Sequence, residues 1–552
     1  MNRRSGNRNR RDRPANTASR QAHPAGIPVP WTAYACLAAG LIFTTYVRLR
    51  YLRLPLERDE GEFGVIAQNI LRGDSPFSAY IYKLPGVPYL YALFMAAFGQ
   101  TSAAIHMALL GANLGASLAL FACARKLMDA RAAALAAVTY ALFSLDYTVL
   151  GTAAHATQFV NLFLALGLWL LLRRRPALWS SSLAGFMMGL AFIMKQPAFL
   201  FVVFGGLLLL ALERAGRTAP RLKAWRDLAG YAVGAGMPYL AVVLIAVRFR
   251  HFDLFWKWTV TYPGLYISTI SPGQGWDNFA AVFGEIVGRF PLLWCAAAAG
   301  FILLVLDGQK AAVHRFAVPG LALCSFLAIL PGYYFHHHYF ILLLPAVSLG
   351  VGGAFEALQR LSGRHLPASG IVTPALFLAL AGWGIGSQPG FYFTFTGDQY
   401  HAFRYGNNPF REAVPIADYI RSITGQGDRI LVLGSEAEIY YYARREAATG
   451  YLFVHGMVAD QPRNLEMQRE LIAEAEKSRP RVMVLCGVQY SWLKQPGTPD
   501  DVLRWFERYS ADYSITGIVD MLPEGSVHKW GAEAARYVPR ADNYLIVYKI
   551  NP

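Results

Sequence analysis

The amino-acid sequence predicts a polytopic α-helical membrane protein that ends in an α/β domain. Three observations carry that reading. Of 552 residues 55% are hydrophobic and 16% charged, with a mean hydropathy of +0.30, a balance outside that of ordinary soluble chains. Apolar runs long enough to cross about 30 Å of hydrocarbon recur along the first two thirds of the chain. After residue 390 the apolar runs shrink to strand length and alternate with helical stretches.

Residues 1–30, MNRRSGNRNRRDRPANTASRQAHPAGIPVP, hold Arg, Asn, Pro and Ala without an apolar face, and read as a disordered basic cytoplasmic tail. A secretory signal would need a short apolar core and a cleavage site; here the first apolar run is long and is followed by many more. Residues 31–389 form the membrane domain. About eleven spans are expected, near 32–51, 103–123, 132–150, 158–172, 180–194, 198–212, 228–247, 290–306, 316–331, 339–356 and 370–386.

Arg125, Lys126, Arg131, Arg173, Arg174, Arg175, Arg214, Arg217, Arg221, Lys223, Arg226, Lys310, Arg315, Arg360 and Arg364 fall in one alternate set of loops, which the positive-inside bias makes cytoplasmic. The net charge of +16 is therefore assigned to orientation rather than to nucleic acid, for which no binding module is visible. Two outer segments are long. The segment 53–102 includes KLPGVPYLYALFMAAFG, read as an interfacial or re-entrant helix. The segment 248–289 has the Trp and Tyr content of a headgroup-level segment. Cys36, Cys123, Cys295, Cys324 and Cys486 show neither CxxC nor metal-type spacing and predict no disulfide framework.

Residues 390–552 are expected to form an outer, periplasmic α/β domain. DRILVLG (428–434), RPRVMVLCG (479–487) and the closing NYLIVYKI read as strands. The LGSE turn lacks phosphate-loop glycines, so no nucleotide is assigned to it.

The chemistry-bearing residues gather on the outer side. LERDEGEFG (56–64) crowds Glu57, Asp59, Glu60 and Glu62 just after the first span. Phe63, Ile66, Ala67 and Ile70 recur at helical spacing and Gly73 supplies a stop, which predicts a surface helix over 60–72. Asp59 then falls at the N-cap with Glu62 in an acidic capping box, Glu57 being a solvated charge. Facing the same side are Lys83; Lys195 in FIMKQPAFL; and His336, His337, His338 and Tyr339 in GYYFHHHYF. The span interiors are nearly free of ionisable groups, unlike an ion pathway. One carboxylate beside several cations at the mouth of a lipid-wetted groove suits sugar transfer from a polyprenyl phosphate. The carboxylate takes a proton from the acceptor hydroxyl, and Lys and His neutralise the leaving phosphate.

The order of DEGEF, YKLPGVPYLYALF, MKQPA and HHHYFILLLPAVSLG, with NPFREAVPIADYIRSITGQGDRILVLGSEAEIYYYARR near the C-terminus, resembles the GT-C fold polyprenyl-phosphate-sugar-dependent glycosyltransferases. That group includes protein O-mannosyltransferases and aminoarabinose transferases. The resemblance implies Asp59 as catalytic base with Glu60 beside it, and Lys83, Lys195 and His336 to Tyr339 at the donor phosphate. Glu62, His155 and Gln158 are acceptor or supporting candidates; where many members carry a second acid, this chain reads AAHATQFVNLF. It also implies inversion at the anomeric carbon. No cofactor is required by any spacing, and a divalent metal is compatible with the His and Glu at the mouth.

The expectation is thus an inverting glycosyltransferase of the bacterial inner membrane. It would act from the periplasmic face in cell-envelope glycan, lipopolysaccharide or protein glycosylation, with a polyprenyl-phosphate-linked sugar as donor and a glycan, lipid or protein as acceptor. The alternatives are a polytopic transporter or lipid flippase without sugar-transfer chemistry, and a non-catalytic assembly protein.

Overall fold

The computed structural model describes residues 31–173, 177–215, 221–267, 270–363 and 369–552. The tail over 1–30 and four basic residues of the orientation argument, Arg174, Arg175, Arg217 and Arg364, lie outside the described residues.

The helical part begins with α1 (Trp31–Arg50), α2 (Arg58–Arg72) and α3 (Gly86–Phe98). α4 (Ser102–Leu127) starts where the Thr101 hydroxyl accepts from the Ala104 N–H, and α5 (Ala130–Leu145) where the Asp129 carboxylate accepts from Arg131 and Ala132. α6 (Ala156–Leu171), α7 (Leu178–Met194), α8 (Phe199–Ala215) and α9 (Arg221–Arg248) follow. Then come the short α10 (Phe252–Trp256) and α11 (Tyr262–Ile267), separated by a π-turn, and α12 (Pro272–Arg289). α13 (Pro291–Leu306), α14 (Ala312–Ile329), a 3₁₀ stretch over His337–Leu343, α15 (Leu344–Gly363) and α16 (Ser369–Gly386) complete the set.

Helices stand at all eleven expected spans, but their lengths divide them. Among the described residues six helices are long and apolar enough to cross a membrane. A seventh is added if α12 and α13, bent by 101°, are one span. α5, α6 and α7 are apolar but have 16, 16 and 17 residues, about 24 Å of helix against about 30 Å of hydrocarbon. α3, read as interfacial or re-entrant, has 13. Apart from Arg131, every side chain of α5 is buried; its apolar run reflects burial inside protein on all sides as much as contact with lipid. Small residues set the tightest packing: a Cβ on Gly185 would lie 2.0 Å from the Tyr231 carbonyl oxygen and one on Gly234 2.0 Å from that of Ser182, so α7 and α9 touch backbone to backbone.

The C-terminal part holds α17 (Gly397–Tyr405), α18 (Phe410–Ile423), β1 (Arg429–Leu433), α19 (Ala437–Ala443), β2 (Glu446–Ala447), α20 (Asn464–Ser478) and β3 (Val482–Gly487). α21 (Gln489–Trp492), α22 (Asp501–Tyr509), β4 (Tyr513–Leu522), β5 (Gly525–Trp530) and β6 (Tyr544–Ile550) follow. The sheet order is β2-β1-β3-β6-β4-β5. β1 runs parallel to β2 and β3, with Ile430 opposite Val482, and the other pairs are antiparallel, with Val484 opposite Val547. β1, β3 and β6 are the three strands expected from sequence. The β4–β5 hairpin was not expected, because its apolar pattern is interrupted by Asp520. That buried carboxylate is satisfied by the Tyr537 hydroxyl and the Arg540 and Ala541 N–H groups.

Aromatic residues of the 248–289 segment join this domain rather than only a headgroup layer. Trp258 and Tyr262 are buried in one cluster with Leu431, Leu433, Tyr451 and Met483. Tyr80 of the first connecting segment stacks on Trp258 at 5.3 Å and donates its N–H to the Gly450 carbonyl at 2.7 Å. Both long segments are thereby fastened to the sheet domain.

Candidate active site

α2 begins two residues earlier than its apolar periodicity suggested. Glu57 is the N-cap: its carboxylate accepts from the Glu60 N–H at 2.9 Å, and the Glu60 carboxylate accepts from the Glu57 N–H at 3.1 Å. Acidic residues three apart occur here in two overlapping registers, 57/60 and 59/62, and the structure uses the first as the capping box. Asp59 and Glu62 are released from capping. Glu57, read as a solvated charge, is buried.

One turn of helix separates Asp59 from Glu62, so both carboxylates share a face. Lys83 meets them, its ammonium donating to Asp59 Oδ1 at 2.7 Å and to Glu62 Oε2 at 2.6 Å. The rings of Phe63, Tyr82 and, from the sheet domain, Phe453 surround the same ammonium at 4.8, 5.7 and 5.7 Å. Burial alone would raise the Asp59 carboxyl, but the Lys83 ammonium, by its charge and its hydrogen bond and with Lys195 adding to it, outweighs that and holds Asp59 well below the usual carboxylate range. Burial lowers the Lys83 ammonium less than Asp59 and Glu62 raise it, so it stays charged. Glu62 is raised by burial despite Lys83.

Glu60 is committed elsewhere. Its Oε1 takes the Ala154 N–H at 2.6 Å and meets His106 Nε2 at 3.1 Å. Its side chain is 2% exposed, against 26% for Asp59. Of the acidic pair, Asp59 is the one solvent reaches.

The His155 ring lies over His338 with centroids 4.0 Å apart and planes 12° from parallel. Its Nδ1 is 3.8 Å from Asp59 Oδ2, beyond hydrogen-bond length. The loop carrying His155 is held from α1: the buried Arg48 donates to the Ser144 and Gly151 carbonyls at 3.0 and 2.7 Å. Gln158 joins this scaffold, donating to Ser144 O and accepting from Asn113. It is fully buried, its amide committed to these two partners.

The histidine triplet divides. His336 and His338 stack with centroids 5.9 Å apart, and Tyr339 takes the Lys195 ammonium over its ring at 4.1 Å. His337 instead meets Glu285, its Nε2 2.9 Å from Oε2, beside Arg404. Burial pushes His155 down to about 4, with Asp59 and Glu60 opposing it and Lys195 and Lys83 reinforcing it. Burial likewise pushes His336 down to about 4, although part of the residue is exposed. These rings are neutral at pH 7, which leaves Lys83 and Lys195 as the cations. Burial lowers Lys195 to about 8, with Asp59 opposing and Lys83 adding to the effect.

The C-terminal contribution is what sequence reasoning missed. Phe453 reaches Lys83, and Arg58, next to Asp59, pairs with Glu436 at 3.2 Å. The one signal available was the placement of acidic residues in GSEAE directly after a buried strand.

The sequence model of the dolichyl-phosphate-mannose-protein mannosyltransferase family matches residues 82–241. Among solved structures, ArnT from Cupriavidus metallidurans bound to undecaprenyl phosphate aligns with a TM-score of 0.59 at 15% identity, over 94% of this chain and 98% of that one. The archaeal oligosaccharyltransferase AglB from Archaeoglobus fulgidus, in complex with an inhibitory peptide and a dolichol-phosphate, aligns at 0.53 and 14% identity, over 92% of this chain and 75% of that one. The apo form of the A. fulgidus oligosaccharyltransferase gives 0.53 and 14%, over 93% and 75%. A comparison with curated protein sequences finds no match. The chain shares the GT-C fold of ArnT and the A. fulgidus oligosaccharyltransferase, with a C-terminal sheet domain, and is a multi-pass membrane protein.

Proposed function

We propose that the protein is an inverting glycosyltransferase that moves a sugar from a polyprenyl phosphate to an acceptor hydroxyl on the periplasmic face of the bacterial inner membrane. The observation that carries this reading is the accessible Asp59 carboxylate held beside Lys83, with Lys195 adjacent, where apolar helices meet the sheet domain. In the reaction the acceptor oxygen attacks the anomeric carbon as its proton passes to Asp59. The bond from that carbon to the phosphate oxygen breaks, and the electron pair leaves with the polyprenyl phosphate. Lys83 and Lys195 stabilise that anion. When Lys83 turns from Asp59 to the donor phosphate, the carboxylate loses its nearest cation and its basicity rises. Glu62 keeps Lys83 within reach of both.

An apolar cavity of about 190 Å³ at the bend between α12 and α13, lined by Phe279, Phe283, Trp294, Phe326 and Leu343, suits part of an isoprenoid chain. Phe279 packs on Phe335 at 5.2 Å, one residue before His336, so the cavity and the phosphate site share a wall. A divalent cation also fits: single ligand atoms of Asp59, His155 and His338 lie within 4.8 Å of one another, and His155 Nε2 is buried without a hydrogen-bond partner. Those residues would hold it, and bound there it would add Lewis-acid stabilisation of the phosphate.

The test is a panel of undecaprenyl-phosphate-linked pentoses and hexoses incubated with the purified protein in nanodiscs and an envelope-glycan or protein acceptor fraction. Release of undecaprenyl phosphate with transfer of the sugar supports the reading. Movement of lipid-linked sugar across liposomes without cleavage would replace it with a flippase.

A further inference from the structure

We propose that Arg58 and Glu436 form a strut by which the C-terminal domain sets the direction of Asp59, making both positioning residues of the transfer reaction; this rests on the function proposed above.

α2 is gripped on two faces. Asp59 and Glu62 point to Lys83, while Arg58, Gly61, Gly64 and Gln68, at helical spacing, meet the sheet domain. Arg58 Nε donates to the Ser435 carbonyl at 2.8 Å, and its Nη2 reaches Glu436 Oε1 at 3.2 Å and Asn408 Oδ1 at 3.4 Å. The guanidinium lies 5.6 Å from the Phe410 ring centroid. Two separate segments of the C-terminal domain thus fix one planar fork, a task a lysine cannot reproduce.

Glu436 is itself immobilised. It is fully buried, and its Oε2 accepts from the Ser435 N–H at 2.9 Å and from the Ser491 hydroxyl. The strut therefore runs from the carboxyl ends of β1 and β3 to the first turn of α2. Behind it, Gln68 Nε2 donates to the Tyr441 carbonyl at 3.0 Å and the Leu56 N–H donates to the Tyr442 hydroxyl at 2.8 Å.

Consecutive helical residues diverge by about 100°, so fixing the azimuth of Arg58 fixes that of Asp59. The Arg58–Glu436 pair does not enter the Asp59–Lys83–Glu62 cluster, and its removal leaves that cluster's charges in place while freeing the helix to roll.

The test uses full-length protein in nanodiscs and two readouts. Hydrogen–deuterium exchange over residues 57–64 needs no ligand; turnover uses whichever undecaprenyl-phosphate-sugar of the panel the wild type cleaves. Arg58→Ala and Glu436→Gln are expected to speed exchange over 57–64 and to lower kcat about 100-fold with little change in donor KM. Ser491→Ala, which leaves the ion pair but loosens Glu436, should fall between. The double exchange Arg58→Glu with Glu436→Arg should recover part of the lost kcat and protection.

Unchanged exchange in the single variants, or faster exchange with undiminished kcat, overturns the strut. If the single variants fail to fold, Ser491→Ala decides: wild-type exchange and kcat in that variant overturn the proposal. Faster exchange together with a wild type that cleaves no donor leaves the mechanical link standing and removes the enzymatic reading beneath it.

Discussion

Replacing Gly61 by alanine is the sharpest perturbation of the contact between α2 and the sheet domain. A Cβ at this position would lie 2.5 Å from the Glu438 backbone nitrogen and 2.8 Å from its Cα. Neither atom belongs to a flexible side chain, so relief requires a helix to move. Ordinary contact begins near about 3.5 Å, so α19 and α2 must separate by about 1 Å. Overpacking of this kind costs about 1–3 kcal/mol, or roughly 2–10 °C in melting temperature for a domain of this size. A 1 Å displacement beside a reacting group lowers turnover about 100-fold. Gly236→Ala is the matched control: Gly236 lies in α9 with no atom within 4 Å of a built Cβ, and its replacement should be neutral or stabilising by up to about 1 kcal/mol. The assays are melting in nanodiscs and donor cleavage at saturating substrate. Gly61→Ala with wild-type melting and turnover would refute the reasoning, because the close contact would then carry no constraint on the site.

Two further predictions concern charge. Lys195 is held at about 8, so its cation is present below that pH and lost as pH rises through it. Donor KM should therefore climb about tenfold between pH 7 and pH 9, and Lys195→Arg should flatten the rise; a KM independent of pH over that range would remove Lys195 from the phosphate site. His337→Ala breaks only the pairing with Glu285 beside Arg404 and should leave kcat within about twofold, whereas His338→Ala, which strips the ring stacked on His155, should lower it at least tenfold; the reverse ranking in steady-state kinetics would contradict the division of the triplet.

Asp59, Lys83, Lys195 and the stretch from His336 to Tyr339 taken as a whole were legible in the sequence because they sit at the ends of apolar runs on one side. Which acidic pair caps α2 was not, since residues 57/60 and 59/62 satisfy the same i, i+3 pattern and periodicity does not choose between them. The three adjacent histidines divide between Glu285 and His155 according to the local 3₁₀ turn, which the repeated residue conceals. The short helices among the eleven expected spans have a related cause. An apolar run marks removal from water, and α5, walled by protein, satisfies that condition without spanning 30 Å. The strut escaped detection because Arg58 and Glu436 are 378 residues apart, and each alone has the appearance of a surface charge.

The central claim is that Asp59 receives the acceptor proton. Asp59→Asn keeps the size of the side chain and a hydrogen-bond acceptor for Lys83 while removing the basic carboxylate. Single-turnover cleavage of the undecaprenyl-phosphate-sugar, measured with donor binding in the same nanodiscs, should fall by at least 1,000-fold, an order consistent with loss of a general base, while donor affinity stays within a few-fold of wild type. A variant that binds donor and transfers sugar at close to the wild-type rate would contradict the account.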